Sequence, residues 1–289
     1  MNFSTYRNIK NKLIILFNAY RLKEILILYK YHKLSYEKMK TSMLIATMDG
    51  KRDSMGLTDR LNGILSIYAL AKATNTEFRI MHTHPFNLNE FLIPNKYNWI
   101  PEDAELCTST SNIRYAIMRK QPTLKKLISL FPLKKQIRVY ANYNYIDEVN
   151  REYGADYKSN ELFWELFRPT VELDTELSFH KEKIGETYIA CVFRFQSLLG
   201  DFKEYKYKTL NKDEQTQLIC INKNALLRLV QTNNCPVLVT SDSIRFIDEI
   251  KSIKNVYTMP GKVVHVGCSF GEEKNVYMKS FIDFFMISA

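Results

Sequence analysis

PVLVTSDSIRFIDEIKSIKNVYTM, residues 236–259, is the stretch whose reading decides the fold. Pro236–Thr240 is a short apolar run bounded by turn residues, the pattern of a buried strand. Ser241-Asp242-Ser243 is a polar cap. Ile244–Ile253 is an amphipathic helix, and Asn255–Met259 is the next strand. Working outward, residues 212–233 read as a helix with Leu218, Ile219, Leu226, Leu227 and Leu229 apolar. Tyr188–Phe195 (YIACVFRF) reads as an apolar strand that carries Arg194 at its end. This alternation builds a parallel sheet.

The first half follows the same logic. Ser42–Met48 (SMLIATM) reads as a buried strand, and Asp49–Asp59 is a polar loop with Gly50 and Gly56. Residues 60–73 form a helix with Leu61, Ile64, Leu65, Tyr68 and Ala69 on its apolar positions. Glu77–His82 (EFRIMH) is the second strand, and Ile137–Tyr145 is a further one. The expected class is α/β with two Rossmann-like halves, parallel sheets and a basic N-terminal helix. The expected division is a basic helical segment over 1–40, a first Rossmann-like domain over 41–180 and a second Rossmann-like domain over 181–289. The connection between the domains is expected near 170–185.

Charge is uneven along the 289 residues. Residues 1–40 hold nine Lys or Arg against two Glu, a net +7 of the total +10. The basicity belongs to that segment, so it does not make the whole chain a nucleic-acid binder. Residues 9–31 lack Pro and Gly and read as a basic, apolar helix. Two readings stand for it: a helix lying on an anionic membrane surface, peripheral on the inner face, or a helix packed on the first domain with solvated lysines. Neither of its apolar runs reaches the roughly 20 residues that span a bilayer. Cysteines 107, 191, 220, 235 and 268 are odd in number and include no CxxC pair, so neither a disulfide framework nor a zinc site follows. A reducing compartment, the cytoplasm, is the plain reading. His82, His84, His180 and His265 share no metal-ligand spacing, and no metal is expected.

Three motifs carry candidate chemistry. Gly56-Leu57-Thr58-Asp59-Arg60-Leu61-Asn62-Gly63 lies between a strand and a helix. There, backbone N–H groups and the helix dipole can meet an anion, with Gly56 allowing close approach. The alternative is a plain helix start capped by Thr58 or Asp59. The pattern is neither GxGxxG nor a P-loop, so it lends no support to NAD or ATP. Arg194 stands at the carboxyl end of a parallel strand, where ligands of open α/β sheets bind. Its guanidinium suits a diphosphate bidentately, or bridges to a carboxylate. Ser241-Asp242-Ser243 can cap a helix, and Asp242 suits a ribose hydroxyl or a guanine N–H edge. Phe246 can stack on a base or fill the core.

Taken in order, Gly56-Leu57-Thr58-Asp59-Arg60-Leu61, Arg194 and Thr240-Ser241-Asp242-Ser243 resemble the fucosyltransferase superfamily. That superfamily includes nodulation-type α-1,6-fucosyltransferases, plant xyloglucan fucosyltransferases and protein O-fucosyltransferases. Its pattern is a Gly-Leu-Gly-Asp/Asn-Arg/Gln loop, a His-x-Arg strand end and a Thr/Ser-Asp-Ser element. The resemblance implies a GT-B fold, a nucleotide-sugar donor with GDP-fucose favoured, a glycan or glycoconjugate acceptor, inversion, and no cofactor or metal. It makes Arg194 the residue that binds the donor diphosphate and stabilises the leaving group. Asp59 and Asp201 are the two candidates for the base. Gly56, Arg60, Ser241, Asp242, Ser243 and Phe246 are the further donor-binding candidates. Two positions depart from the pattern: Val192 stands where the family has His, and Thr58 where it has the second glycine. The rival class is a non-catalytic nucleotide- or glycan-binding protein on the same scaffold.

The second half restarts near residue 186, leaving about 100 residues, which is short for a Rossmann half. Related fucosyltransferases continue with a strand and a Ser/Phe-containing loop. Here Tyr277–Ser288 reads as one apolar helix. The expectation is a shortened C-terminal half, an open donor site and weak or no activity. The face of Phe281, Phe284, Phe285 and Ile287 is expected to be incompletely covered unless the N-terminal helix or a partner chain packs on it.

Overall fold

The computed structural model describes residues 21–52, 55–118, 123–202, 208–267 and 271–288. Residues 9–20 of the expected N-terminal helix, and Cys268, lie outside them. The chain divides into two compact units, one of residues 1–88 and 93–168, the other of 89–92 and 169–289.

In the first unit a helix runs over residues 21–31 (α1). Met43–Met48 (β1) follows, and every residue in it is buried. A strand apolar on both faces belongs inside a parallel sheet. Accordingly β1 lies between Glu77–His82 (β2) and Gln136–Ala141 (β5), with Ile113–Met118 (β4) beyond β5. All three pairings are parallel. Leu57–Ala73 (α2) connects β1 to β2, and Gly63 through Ala71 are all buried. It is therefore enclosed, and not the one-sided helix that its periodicity suggests. Gly63 is the reason it fits. A Cβ there would stand 2.0 Å from the Ala141 carbonyl oxygen. Thr123–Ile128 (α3), Ile146–Tyr153 (α4) and Ser159–Leu166 (α5) complete the unit. Leu92–Pro94 (β3) and Phe167–Pro169 (β6) pair in a small two-stranded sheet.

The second unit begins with Val171–Ile184 (α6). Thr170 caps it by accepting from the Leu173 N–H, and Gly185, at φ +95°, ends it. The stretch expected to hold the interdomain connection is thus mostly helix. Glu172 and Asp174 in its first turn and Lys181 and Lys183 in its last complement the dipole. Ile189–Phe193 (β7), Val237–Ser241 (β8) and Val256–Thr258 (β9) form a parallel sheet in that order. Lys212–Thr232 (α7) and Ile244–Ile250 (α8) are its connections. Lys274–Ile287 (α9) closes the unit.

The expectation of an uncovered α9 corrects here. Phe281 and Met286 are fully buried, and Ile282 and Phe285 nearly so, whereas Phe284 and Ile287 are half-buried. Phe281 stacks on Phe91 at 4.5 Å between ring centroids. The Tyr188 hydroxyl donates to the Met286 carbonyl at 2.6 Å. The cover comes from α6 and β7, which pack against α9, and from Phe91 of residues 89–92, which rejoin this unit from far back in the chain. Among the described residues no helix is long and apolar enough to cross a membrane.

Candidate functional site

Two strand ends meet at the carboxyl edge of the second sheet. The register aligns Phe193 of β7 with Ser241 of β8, so Arg194 and Asp242 emerge side by side. Asp242 does not face outward for a ligand's N–H groups. Its Oδ1 accepts from the Phe195 N–H at 2.7 Å and its Oδ2 from the Gln196 N–H at 2.9 Å. It locks the turn after Arg194, where Gln196 takes a left-handed φ of +55°. Such a conformation costs a non-glycine residue energy, which two charge-assisted bonds offset. Asp242 is therefore a positioning residue for the Arg194 strand end.

The Ser241–Ser243 turn is equally self-contained. Ser241 Oγ accepts from the Ser243 N–H at 3.1 Å, and Ser243 Oγ accepts from the Phe246 N–H as the cap of α8. Ser243 Oγ also donates to Asp201 Oδ2 at 2.7 Å. Asp201 Oδ1 accepts from the N–H groups of Ile244 and Arg245. The amino end of α8 thus already holds an anion, the Asp201 carboxylate. Asp201 acts there as a helix cap, which leaves its oxygens engaged. Phe246 is fully buried against Phe193 and Phe195, at 4.8 and 4.9 Å. This corrects the base-stacking reading: Phe246 belongs to the core cluster beneath the edge.

Above these residues lie two clefts. One, of about 170 Å³, is lined by Val192, Arg194, Thr240, Ser241, Asp242, Lys279 and Asp283, among others. The other, of about 310 Å³, is lined by Asp201, Asp242, Lys262, His265 and Glu272, among others. Both share Asp242, Val263 and Val264. The structure therefore brings Arg194, Ser241 and Asp242 together and sets Asp201 beside Asp242. It also adds groups that the motifs did not name. Lys279 is buried and pairs with Asp283 at 2.6 Å. Burial pushes the Asp283 carboxyl up, against the pull of Lys279. A signal for this pair existed in the sequence: Lys279 and Asp283 stand four apart in the mostly apolar α9, the separation at which helix neighbours meet.

Gly56, Asp59 and Arg60 belong to the first unit. Gly56, and not Thr58 or Asp59, is the N-cap of α2, and it gives no side-chain cap bond. A Cβ on Gly56 would meet nothing nearer than 3.9 Å, so the space over it is open. Arg60 is fully buried, donating from Nε to the Met55 carbonyl and from an Nη to the His84 carbonyl. It braces the loop from inside. His82 is buried too, and its Nδ1 donates to the Phe86 carbonyl at 3.1 Å. Among the described residues no three His, Cys, Asp or Glu are grouped to hold a metal ion.

Two Rossmann-like α/β units, the second with a polar cleft at the carboxyl edge of its parallel sheet, define the architecture of GT-B proteins. Solved structures of fucosyltransferases share this fold. The fucosyltransferase NodZ from Bradyrhizobium matches with a TM-score of 0.52 at 10% identity, covering 86% of this chain and 86% of its own. NodZ α-1,6-fucosyltransferase co-crystallised with GDP matches with a TM-score of 0.50 at 10% identity, covering 86% and 85%. A variant of Arabidopsis thaliana FUT1 in complex with GDP matches with a TM-score of 0.52 at 14% identity, covering 87% of this chain and 65% of that one. No family profile matches the sequence, and no curated protein matches it. The chain has a fucosyltransferase-like fold.

Proposed function

We propose that the protein is a glycosyltransferase that moves a sugar, fucose favoured, from a GDP-sugar to a glycan acceptor, with inversion and without a metal. The observation that carries this reading is the cleft at the β7–β8 edge, where Arg194 and Lys279 share one concave surface. Two of the structures with this fold hold GDP. In the proposed complex the diphosphate lies against Arg194, which stabilises the charge that develops as the sugar departs. Lys279, ion-paired with Asp283, lines the same cleft, and Asp242 holds the Arg194 turn in place. Asp59 and Asp201 are the two carboxylates proposed for proton acceptance, and Asp201 also caps α8. The free thiols of Cys107, Cys191, Cys220 and Cys235 support a cytoplasmic setting.

Calorimetry tests the site. Arg194→Ala is expected to weaken GDP binding about tenfold to a hundredfold, the loss of a charge-assisted bond worth about 1.5–3 kcal/mol. Unchanged affinity removes Arg194 from the site. UDP or ADP binding as tightly as GDP overturns the donor assignment. One feature favours a non-catalytic binder instead: Val192, exposed at the rim, stands where fucosyltransferases of this pattern carry His. Release of fucose from GDP-fucose without acceptor separates the two, since a binder leaves the donor intact.

A further inference from the structure

The second observation concerns the first unit and stands independently of the proposed activity. Residues 21–40 contain two acids, and the structure turns both inward. Glu24 is buried, and its Oε1 accepts from the Ile117 N–H at 2.9 Å and from Lys126 Nζ. Glu37 accepts from the N–H groups of Thr108 and Ser109 through Oε2. Backbone bonds from Ser109 and Thr108 hold the Glu37 carboxyl below the usual carboxylate range. Ile27 is buried beside Glu24, against the cluster of Ile113, Tyr115 and Ile117.

The opposite face of α1 is apolar and open. Leu22, Ile25, Leu26 and Tyr29 are each more than 40% exposed. Their spacing of i, i+3, i+4 and i+7 puts them in one stripe. At 100° per residue Arg21 falls on one flank of that stripe, and Lys23 and Lys30 fall on the other. All three are exposed. Beyond the helix the pattern continues, with Lys33 exposed and with Leu34 and Tyr36 at 79% and 95%. An apolar stripe between cationic flanks, with its carboxylates withdrawn, matches the surface of an anionic bilayer. A second copy of the chain fits poorly, because the flanks would bring like charges together.

We propose that α1 and residues 33–36 dock the protein on an anionic membrane surface, with Leu22, Leu26 and Tyr29 entering the headgroup boundary. The test is co-sedimentation of the full chain with two kinds of vesicle. One is phosphatidylcholine alone, and the other is equal parts phosphatidylcholine and phosphatidylglycerol. Binding is expected on the mixed vesicles only, and it is expected to fall as salt rises. The triple variant Lys23→Gln/Lys30→Gln/Lys33→Gln is expected to bind about a hundredfold more weakly. Leu22→Ser/Leu26→Ser/Tyr29→Ser is expected to lose about tenfold or more. These side chains are exposed, so thermal melting of both variants is expected to stay close to that of the parent. Equal binding to both vesicle types, no binding, or binding undiminished in either variant overturns the proposal. So does a lipid-free dimer that the serine variant turns into a monomer, because the stripe would then serve a second copy.

Discussion

Gly63 shows what one missing side chain does. The helix crosses the end of β5 so closely that a methyl group would overlap the Ala141 carbonyl, and that carbonyl is backbone that cannot swing away. Gly63→Ala is therefore expected to destabilise the first unit by about 1–3 kcal/mol, or more if the crossing fails. Helix propensity alone would favour alanine by about 1 kcal/mol, so the sign of the effect decides between the two accounts. A melting midpoint at or above that of the parent refutes the steric one. Residue types at the candidate site were legible in the sequence, but the direction of each side chain was not. Arg60 and Asp242 both looked like groups waiting for a ligand. Arg60 instead braces two loop carbonyls, and Asp242 secures the turn beside Arg194. Spacing along a chain places a charge at a strand end; it does not say which backbone groups will claim it.

At the scale of elements, periodicity revealed most of the second unit's sheet and helices but missed β4 and α3 to α5 of the first unit. In the second unit β7, α7, β8, α8 and β9 follow the reading within a few residues at each end. What escaped was α6, whose charges and aromatics mask a buried line of Leu173, Leu177, His180 and Ile184. The cover of α9 also escaped, because α6 was itself unread and Phe91 comes from a segment nearly two hundred residues earlier. No local pattern records such a contact. The consequence is measurable. Phe281→Ala removes a fully buried ring and is expected to cost about 3–5 kcal/mol in denaturant unfolding. A cost below about 1 kcal/mol shows the face to be as open as the sequence suggested.

At the scale of the whole molecule, acid sensitivity follows from two rings in the first unit, His82 buried and His32 half-buried. Burial, then the charge of Arg60, pushes His82 down to about 3, and burial, then Arg138, pushes His32 down to about 4, each from 6.5. Between those values the unfolded chain binds protons that the folded chain refuses. Stability therefore rises with pH through this window and falls as pH drops from 6.5 toward about 4 and then about 3. Urea midpoints at about pH 7 and about pH 5 are expected to differ in that direction, and less so in His32→Gln/His82→Gln. An identical difference in parent and variant assigns the acid sensitivity to other groups. The second unit carries a different kind of insulation. Because Asp201 fills the amino end of α8, that helix brings its own resident anion. A tethered carboxylate competes at an effective concentration that free inorganic phosphate rarely matches. Free phosphate and sulfate are thereby shut out of the amino end of α8, so that helix end offers no rival to the anion site proposed at Arg194.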